Sequence, residues 1–263
     1  MMTLTLSVIV LSILSCSPKA EKLYTEAYQE IENGHFRIAV NLLEQSAKIE
    51  KNDRKKTKAL LEAARISRFE MQDFQRALRL YREIILKSQD SSQRIGAQEA
   101  IAEINLENLQ NYGQALSELL ILEQLNLNPE QKEKIKLRIA QAQFLTGNSD
   151  TALECIESAL KTAKTDRRYF LKLKAEILMA QKKQHEAISI YEDLRKADEK
   201  YFAAENLYIA TSIAYEEKED YVTALSFLEK NKNRISDLPY LELREKRLKE
   251  KILNKPLSKG RRK

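Results

Sequence analysis

"FQRALRLYREIIL", residues 74–86, sets an aromatic three positions before an alanine and a tyrosine four positions after it. Phe74, Ala77 and Tyr81 therefore share one face of a helix with the 3.6-residue period. The same spacing recurs in Phe36 with Ala39, Tyr112 with Ala115 and Tyr221 with Ala224. Ser149 with Ala152 and Gln184 with Ala187 are weaker copies. The six alanines stand 38, 38, 37, 35 and 37 residues apart. A fixed period in this range marks a repeat architecture rather than one folded sheet or barrel.

Working outward from each alanine, a first helix precedes the aromatic and a second runs through it. "AEKLYTEAYQEIE" (20–32) and "KEKIKLRIAQAQFL" (132–145) are two first helices. Gly34 and Gly147 fall in the turns that follow them, where a left-handed residue ends a helix. The alanine lets the two helices of a pair approach closely, and neither can bury its apolar stripe without neighbouring pairs. Composition agrees. The 263 residues include only 5 Gly and 4 Pro, with 43% apolar and 32% charged residues and no Trp. That excludes Gly-rich phosphate loops and many-stranded sheets, and predicts a chain that is helical almost throughout. A net charge of +6 among so many mixed charges argues against nucleic acid as a partner.

This pattern resembles the tetratricopeptide repeat (TPR). The resemblance spans residues 20–233, about six helix pairs, and implies an all-α, right-handed superhelical α-solenoid. Ala27, Ala140, Ala175 and Ser212 occupy the small-residue position twelve before their alanines. In the second and third pairs Arg65 and Glu103 stand there, with Ala64 and Ala102 one residue earlier, which predicts an extra residue in those turns. The proline that closes a TPR repeat is missing, although Pro129 separates the third and fourth pairs. Residues 234–254 read as a capping helix, with Ser236 or Asp237 at its start and Leu241, Leu248 and Ile252 as one apolar seam. The basic run 255–263 is expected to be a disordered tail. Ala20, outside the repeating positions, is expected to tolerate Leu.

The N-terminal stretch "TLTLSVIVLSILS" (3–15) is uncharged and too short to span a bilayer as a helix, and it reads as a signal-peptide core. Its end, Ile13, Leu14, Ser15 and Cys16, resembles the lipobox of bacterial lipoproteins. Leu14 departs from the usual small residue, and no Lys or Arg stands near Met1. An uncleaved anchor and a buried apolar terminus are the competing readings. The lipobox resemblance implies removal of residues 1–15, lipidation at Cys16, a short linker through residue 19, and membrane attachment through the acyl chains. Cys155 would then be the only thiol of the mature chain, read as a small packed residue.

No catalytic or metal-binding motif occurs: the two histidines, His35 and His185, lie far apart in sequence, and carboxylates such as Glu62 and Glu70 can be nominated only without specificity. The expectation is a protein without enzyme activity, cofactor or metal. The TPR resemblance implies instead a concave face lined by the first helices, which takes an extended peptide or a helix of another protein. Carried onto this sequence, the lining residues are Tyr24, Tyr28 and Ile31; Leu137, Gln141 and Phe144; and Tyr169, Lys172, Glu176 and Met179. Phe144 and Met179 read equally well as core. Tyr24 and Tyr28 are expected to be paired anchors outside the packing of their helix pair. The functional expectation is a lipid-anchored scaffold of the bacterial cell envelope, at the outer membrane and facing the periplasm. Its layout is like that of the TPR lipoprotein of the outer-membrane β-barrel assembly machinery. The alternative is an accessory or regulatory subunit of an envelope enzyme, such as one acting on peptidoglycan.

Overall fold

The computed structural model describes residues 18–163, 165 and 167–254. Residues 1–17 and 255–263 lie outside the described residues, and with them the signal sequence, Cys16 and the basic tail. The described chain is all-α, without a strand, and divides into two units after Leu125. The first unit holds α1 (Pro18–Glu32) paired with α2 (Phe36–Ile49), and α3 (Asp53–Phe69) with α4 (Phe74–Lys87). Its third pair is α5 (Ser91–Glu103) with α6 (Tyr112–Glu123). The second unit holds α7 (Pro129–Leu145) with α8 (Ser149–Leu160), and α9 (Arg167–Ala180) with α10 (Gln184–Ala197). Then come a short α11 (Glu199–Ala204), the pair α12 (Leu207–Glu217) and α13 (Tyr221–Lys230), and α14 (Leu238–Asn254).

Every alanine of the repeat, Ala39, Ala77, Ala115, Ala152, Ala187 and Ala224, has 0% exposure. Facing them are the buried small residues Ala27, Ala64, Ala102, Ala140, Ala175 and Ser212. In the last pair the contact is direct, since the Ser212 hydroxyl donates to the Ala224 carbonyl at 3.2 Å. Small side chains here bring two helix backbones together, and the aromatics Phe36, Phe74 and Tyr221 then pack against the core beside them.

The turns inside the pairs carry a second regularity. Gly34, Gln72, Gln110, Gly147, Lys182 and Glu219 all adopt positive φ, each two residues before its second helix begins. Only two of the six are glycine, so four non-glycine residues hold a conformation that L-residues disfavour. The extra residue expected in the second and third turns is present. The α3–α4 turn has residues 70–73 where the α1–α2 turn has 33–35, and α5 runs into a π-helical turn, Ile104–Asn108, which takes up the added residue. Ala64 and Ala102 are thereby buried in place of Arg65 and Glu103.

Side chains cap three of the six second helices, while Asn148 before α8 donates its amide to the Thr146 hydroxyl instead. Asp73, Asn111 and Asp220 accept from the backbone N–H groups of Arg76, Gln114 and Thr223, and Asn128 with Gln131 forms a full capping box on α7. Neighbouring pairs within a unit are stitched by bonds about one repeat apart in sequence. Examples are Lys55 to Glu21 (3.0 Å), Arg76 to Glu44 (2.8 Å) and Arg68 to Glu103 (3.0 Å).

Two expectations need correction. Ala20 is not a bystander: it is fully buried, and its carbonyl accepts the Ser46 hydroxyl at 2.7 Å, tying the start of α1 to α2. Tyr24 is not outside the pair's packing, because its ring lies half-buried against the first unit's core together with Ile31. α1 starts at Pro18, two residues before the expected helix, so that Ala20 lies inside the helix rather than at its first position.

α14 is clamped rather than merely laid against α13. Leu241 and Leu248 are fully buried, and Asp237 caps the helix by accepting from the Tyr240 N–H at 3.0 Å. On α12 the buried carboxylate of Glu216 meets three cations of α14: Arg244, Lys251 (2.7 Å) and Arg247 (3.2 Å).

Candidate functional site

In the first unit, α1 and α3 adjoin along their side chains. Tyr24 and Tyr28, one helical turn apart, have ring centroids 5.0 Å from each other and hydroxyls in hydrogen-bond contact at 3.0 Å. The Lys58 ammonium of α3 stands 5.4 Å from the Tyr24 ring, a cation–π geometry that fixes the ring from above. Tyr28 is 37% exposed. Burial and then the hydrogen bond to Tyr24 push its hydroxyl up to about 12, so it stays a neutral hydrogen-bonding phenol. The remainder of this face on α3 is Leu61, Arg65 and Phe69, the last 59% exposed with the Arg68 guanidinium 4.8 Å from its ring. The surface is aromatic and half-open, bordered by Lys58 and Arg65 and by the Glu62 carboxylate, whose charge acts on the Tyr28 hydroxyl. Such surfaces hold a partner's side chain by area and orient it by charge.

The second unit has a different arrangement. Leu137 and Phe144 of α7 are half-buried against the core around Ile156 and Phe170, while Gln141 between them is exposed. On α9, Tyr169 packs edge-on against Tyr201 at 5.3 Å. The Arg168 guanidinium lies 5.1 and 4.9 Å from these two rings and binds Asp198 at 2.7 Å. Asp198 is held below the usual carboxylate range, first by the Tyr201 N–H that it caps and then by Arg168. Lys172 donates to Glu205 at 2.6 Å and lies 3.8 Å from Glu176. Burial opposes its charge, but these two carboxylates outweigh burial and raise its pKa. Met179 is half-buried against a second core of this unit, around Tyr191 and Phe202.

The residues expected to line one groove thus differ in kind. Tyr28, Gln141 and Glu176 are open. Tyr24, Ile31, Leu137, Phe144, Tyr169 and Met179 share themselves between surface and core. Lys172 is already engaged within the chain. Lys58, Tyr201 and Glu205 were missed, and their signal was available: Tyr201 and Glu205 follow Arg168 and Lys172 by 33 residues, about one repeat. The Tyr201 hydroxyl is buried without a hydrogen-bond partner. Cys155 is half-buried, its thiol donating to the Lys136 carbonyl at 3.7 Å. Among the described residues no group of three or more His, Cys, Asp and Glu side chains could hold a metal ion, and no helix is long and apolar enough to cross a membrane.

Neither a protein-family model nor a curated protein matches the sequence. Solved structures do. A tetratricopeptide repeat protein from Parabacteroides merdae superposes with a TM-score of 0.68 over 90% of this chain and 88% of its own, at 16% identity. PilW, a type IV pilus biogenesis factor, gives 0.61 over 89% and 99% of the two chains at 14% identity. PilF of Pseudomonas aeruginosa gives 0.55 over 89% and 97% at 16% identity. At such identities the likeness concerns the fold. The buried alanine joints, the left-handed turns and these superpositions lead to one conclusion: the chain has the tetratricopeptide-repeat fold.

Proposed function

We propose that this chain is a non-enzymatic protein-interaction scaffold, held at the bacterial cell envelope by lipid on Cys16 and working in outer-membrane protein assembly. TPR folds bind other proteins, and the observation that carries the reading here is the half-open Tyr24, Tyr28 and Phe69 face with its flanking Lys58 and Arg65. Exposed aromatics beside fixed cations suit an extended peptide or a helix better than a small molecule. Support for an envelope setting comes from the Ile13–Cys16 sequence and from the likeness to PilW, whose own role is in type IV pilus biogenesis.

The test is recovery of partners from detergent-solubilised envelopes. Tyr28→Ser should leave helix content unchanged, because Tyr28 borders solvent. It should lower recovery of barrel-assembly components tenfold or more, equivalent to about 1.4 kcal/mol. Unchanged recovery removes this face from the proposal. Recovery of peptidoglycan enzymes instead replaces the scaffold with an accessory subunit of those enzymes. A Cys16→Ala chain that still fractionates wholly with membranes after a wash at ~1 M salt, which removes electrostatic attachment, refutes the lipid anchor.

A further inference from the structure

A small cavity opens in the first unit where α2 ends and α3 begins, with α1 as its third wall. Its volume is about 180 Å³, and its walls include Glu21 and Tyr24 of α1, Ser46 of α2 with Glu50 just beyond it, and Lys55 and Lys58 of α3. Pockets for drug-sized ligands run to roughly 300–1,000 Å³, so this one has room for a single small molecule. Two of its charges cancel within the chain, because Lys55 donates to Glu21 at 3.0 Å. The other two have opposite signs and no ion-pair partner among the described residues. Glu50 is only 5% exposed, yet its carboxylate accepts a hydrogen bond from the Asn52 N–H at 2.8 Å and meets no cation. Lys58 meets the Tyr24 ring, 5.4 Å from its ammonium, and no carboxylate. A buried carboxylate with acceptor sites to spare and no cation is costly, and a ligand that brings a cation relieves that cost. The helix ends agree in sign, since α2 ends with its negative pole at Glu50 and α3 begins with its positive pole before Lys55.

We infer that this cavity is a binding site for a zwitterionic α-amino acid. The ligand's ammonium pairs with Glu50, its carboxylate pairs with Lys58, and its side chain lies against the Tyr24 ring. Neither charge alone matches the walls. A simple amine would leave Lys58 unmatched and set a third cation beside two ammonium groups, and a simple carboxylate would stand against Glu50. The inference does not rest on the scaffold reading. Tyr28, on which that reading turns, is not among the walls of the cavity, so the two stand or fall separately.

The test is titration of the full chain with leucine, followed by NMR at the backbone amides of Tyr24, Glu50 and Lys58. The expected result is saturable shifts with a dissociation constant of ~1 mM or tighter. Leucine amide, which lacks the carboxylate, and N-acetyl-leucine, which lacks the ammonium, should each bind roughly tenfold or more weakly. Glu50→Gln keeps an acceptor for the Asn52 N–H, so the fold is retained, and Lys58→Gln changes an exposed residue. Each should weaken leucine about tenfold. In the Lys58→Gln chain the preference over leucine amide should vanish while that over N-acetyl-leucine persists, and in the Glu50→Gln chain the reverse should hold. Absence of saturable shifts up to ~10 mM leucine overturns the proposal. So does equal binding of leucine and either derivative by the unaltered chain, which would mean that one charge suffices. Leucine binding that survives either substitution unchanged lies elsewhere on the chain and overturns it as well.

Discussion

At the scale of single residues, the six fully buried alanines set the distance between paired helices. Ala77→Leu or Ala115→Leu should overpack the joint and lower stability by about 1–3 kcal/mol in chemical denaturation. Gln75→Leu, on the exposed side of α4, should stay within about 0.5 kcal/mol. Ala20 cannot serve as that silent control, because its backbone and methyl are sealed under Ser46. Equal losses for all three variants would show that the alanines are not special. A converse case is Tyr201, whose ring packs against Tyr169 but whose hydroxyl is buried without a partner. Tyr201→Phe removes the unsatisfied group and keeps the ring, so stability should rise by roughly 1 kcal/mol. A fall would mean that the hydroxyl finds a partner in solution.

At the scale of elements, the left-handed turns separate local strain from packing. Gln72→Gly should stabilise by about 0.5–1 kcal/mol, the relief of a left-handed non-glycine residue less the added freedom of glycine in the unfolded chain. Gly34→Ala should lose about 1 kcal/mol for the same reason in reverse. A Cβ there meets nothing within 4 Å, so the loss would be conformational and not steric. The clamp on α14 has a pH signature. Burial works to raise the Glu216 pKa, but Lys251 and then Arg244 and Arg247 prevail and hold it below the usual carboxylate range. A depressed folded-state pKa contributes stability that is present above the unfolded value of about 4.3, and that is lost as pH falls through the folded value. Protection of the α14 amides, taken relative to the intrinsic exchange rate at each pH, should accordingly be unchanged between pH 7 and about 5 and fall below about 4. Loss of protection already at pH 6 would point to another group.

At the scale of the whole molecule, the lipid-anchor proposal makes its own prediction: the mature protein should begin at Cys16 and weigh more than its residues by the mass of its acyl chains, as read by intact mass spectrometry. A mature N-terminus at Met1 would refute it. The repeat architecture was legible in the sequence because stacking imposes one period on the chain, and a small residue buried between helices leaves that period as regularly spaced alanines. The extra residue in the second and third turns was legible too, as Ala64 and Ala102 displaced by one place. The division of labour within each first helix was not. A residue at the edge of an apolar stripe is core or surface according to side chains about 33 residues away, and periodicity within one helix carries no record of them. Only the tertiary structure placed Tyr24 partly in the core beneath Lys58, bound Lys172 to Glu205, and gathered three cations around Glu216. The sequence alone determined how the helices repeat and where they join; which of their polar and aromatic side chains remain open to a partner was decided by contacts between one repeat and the next.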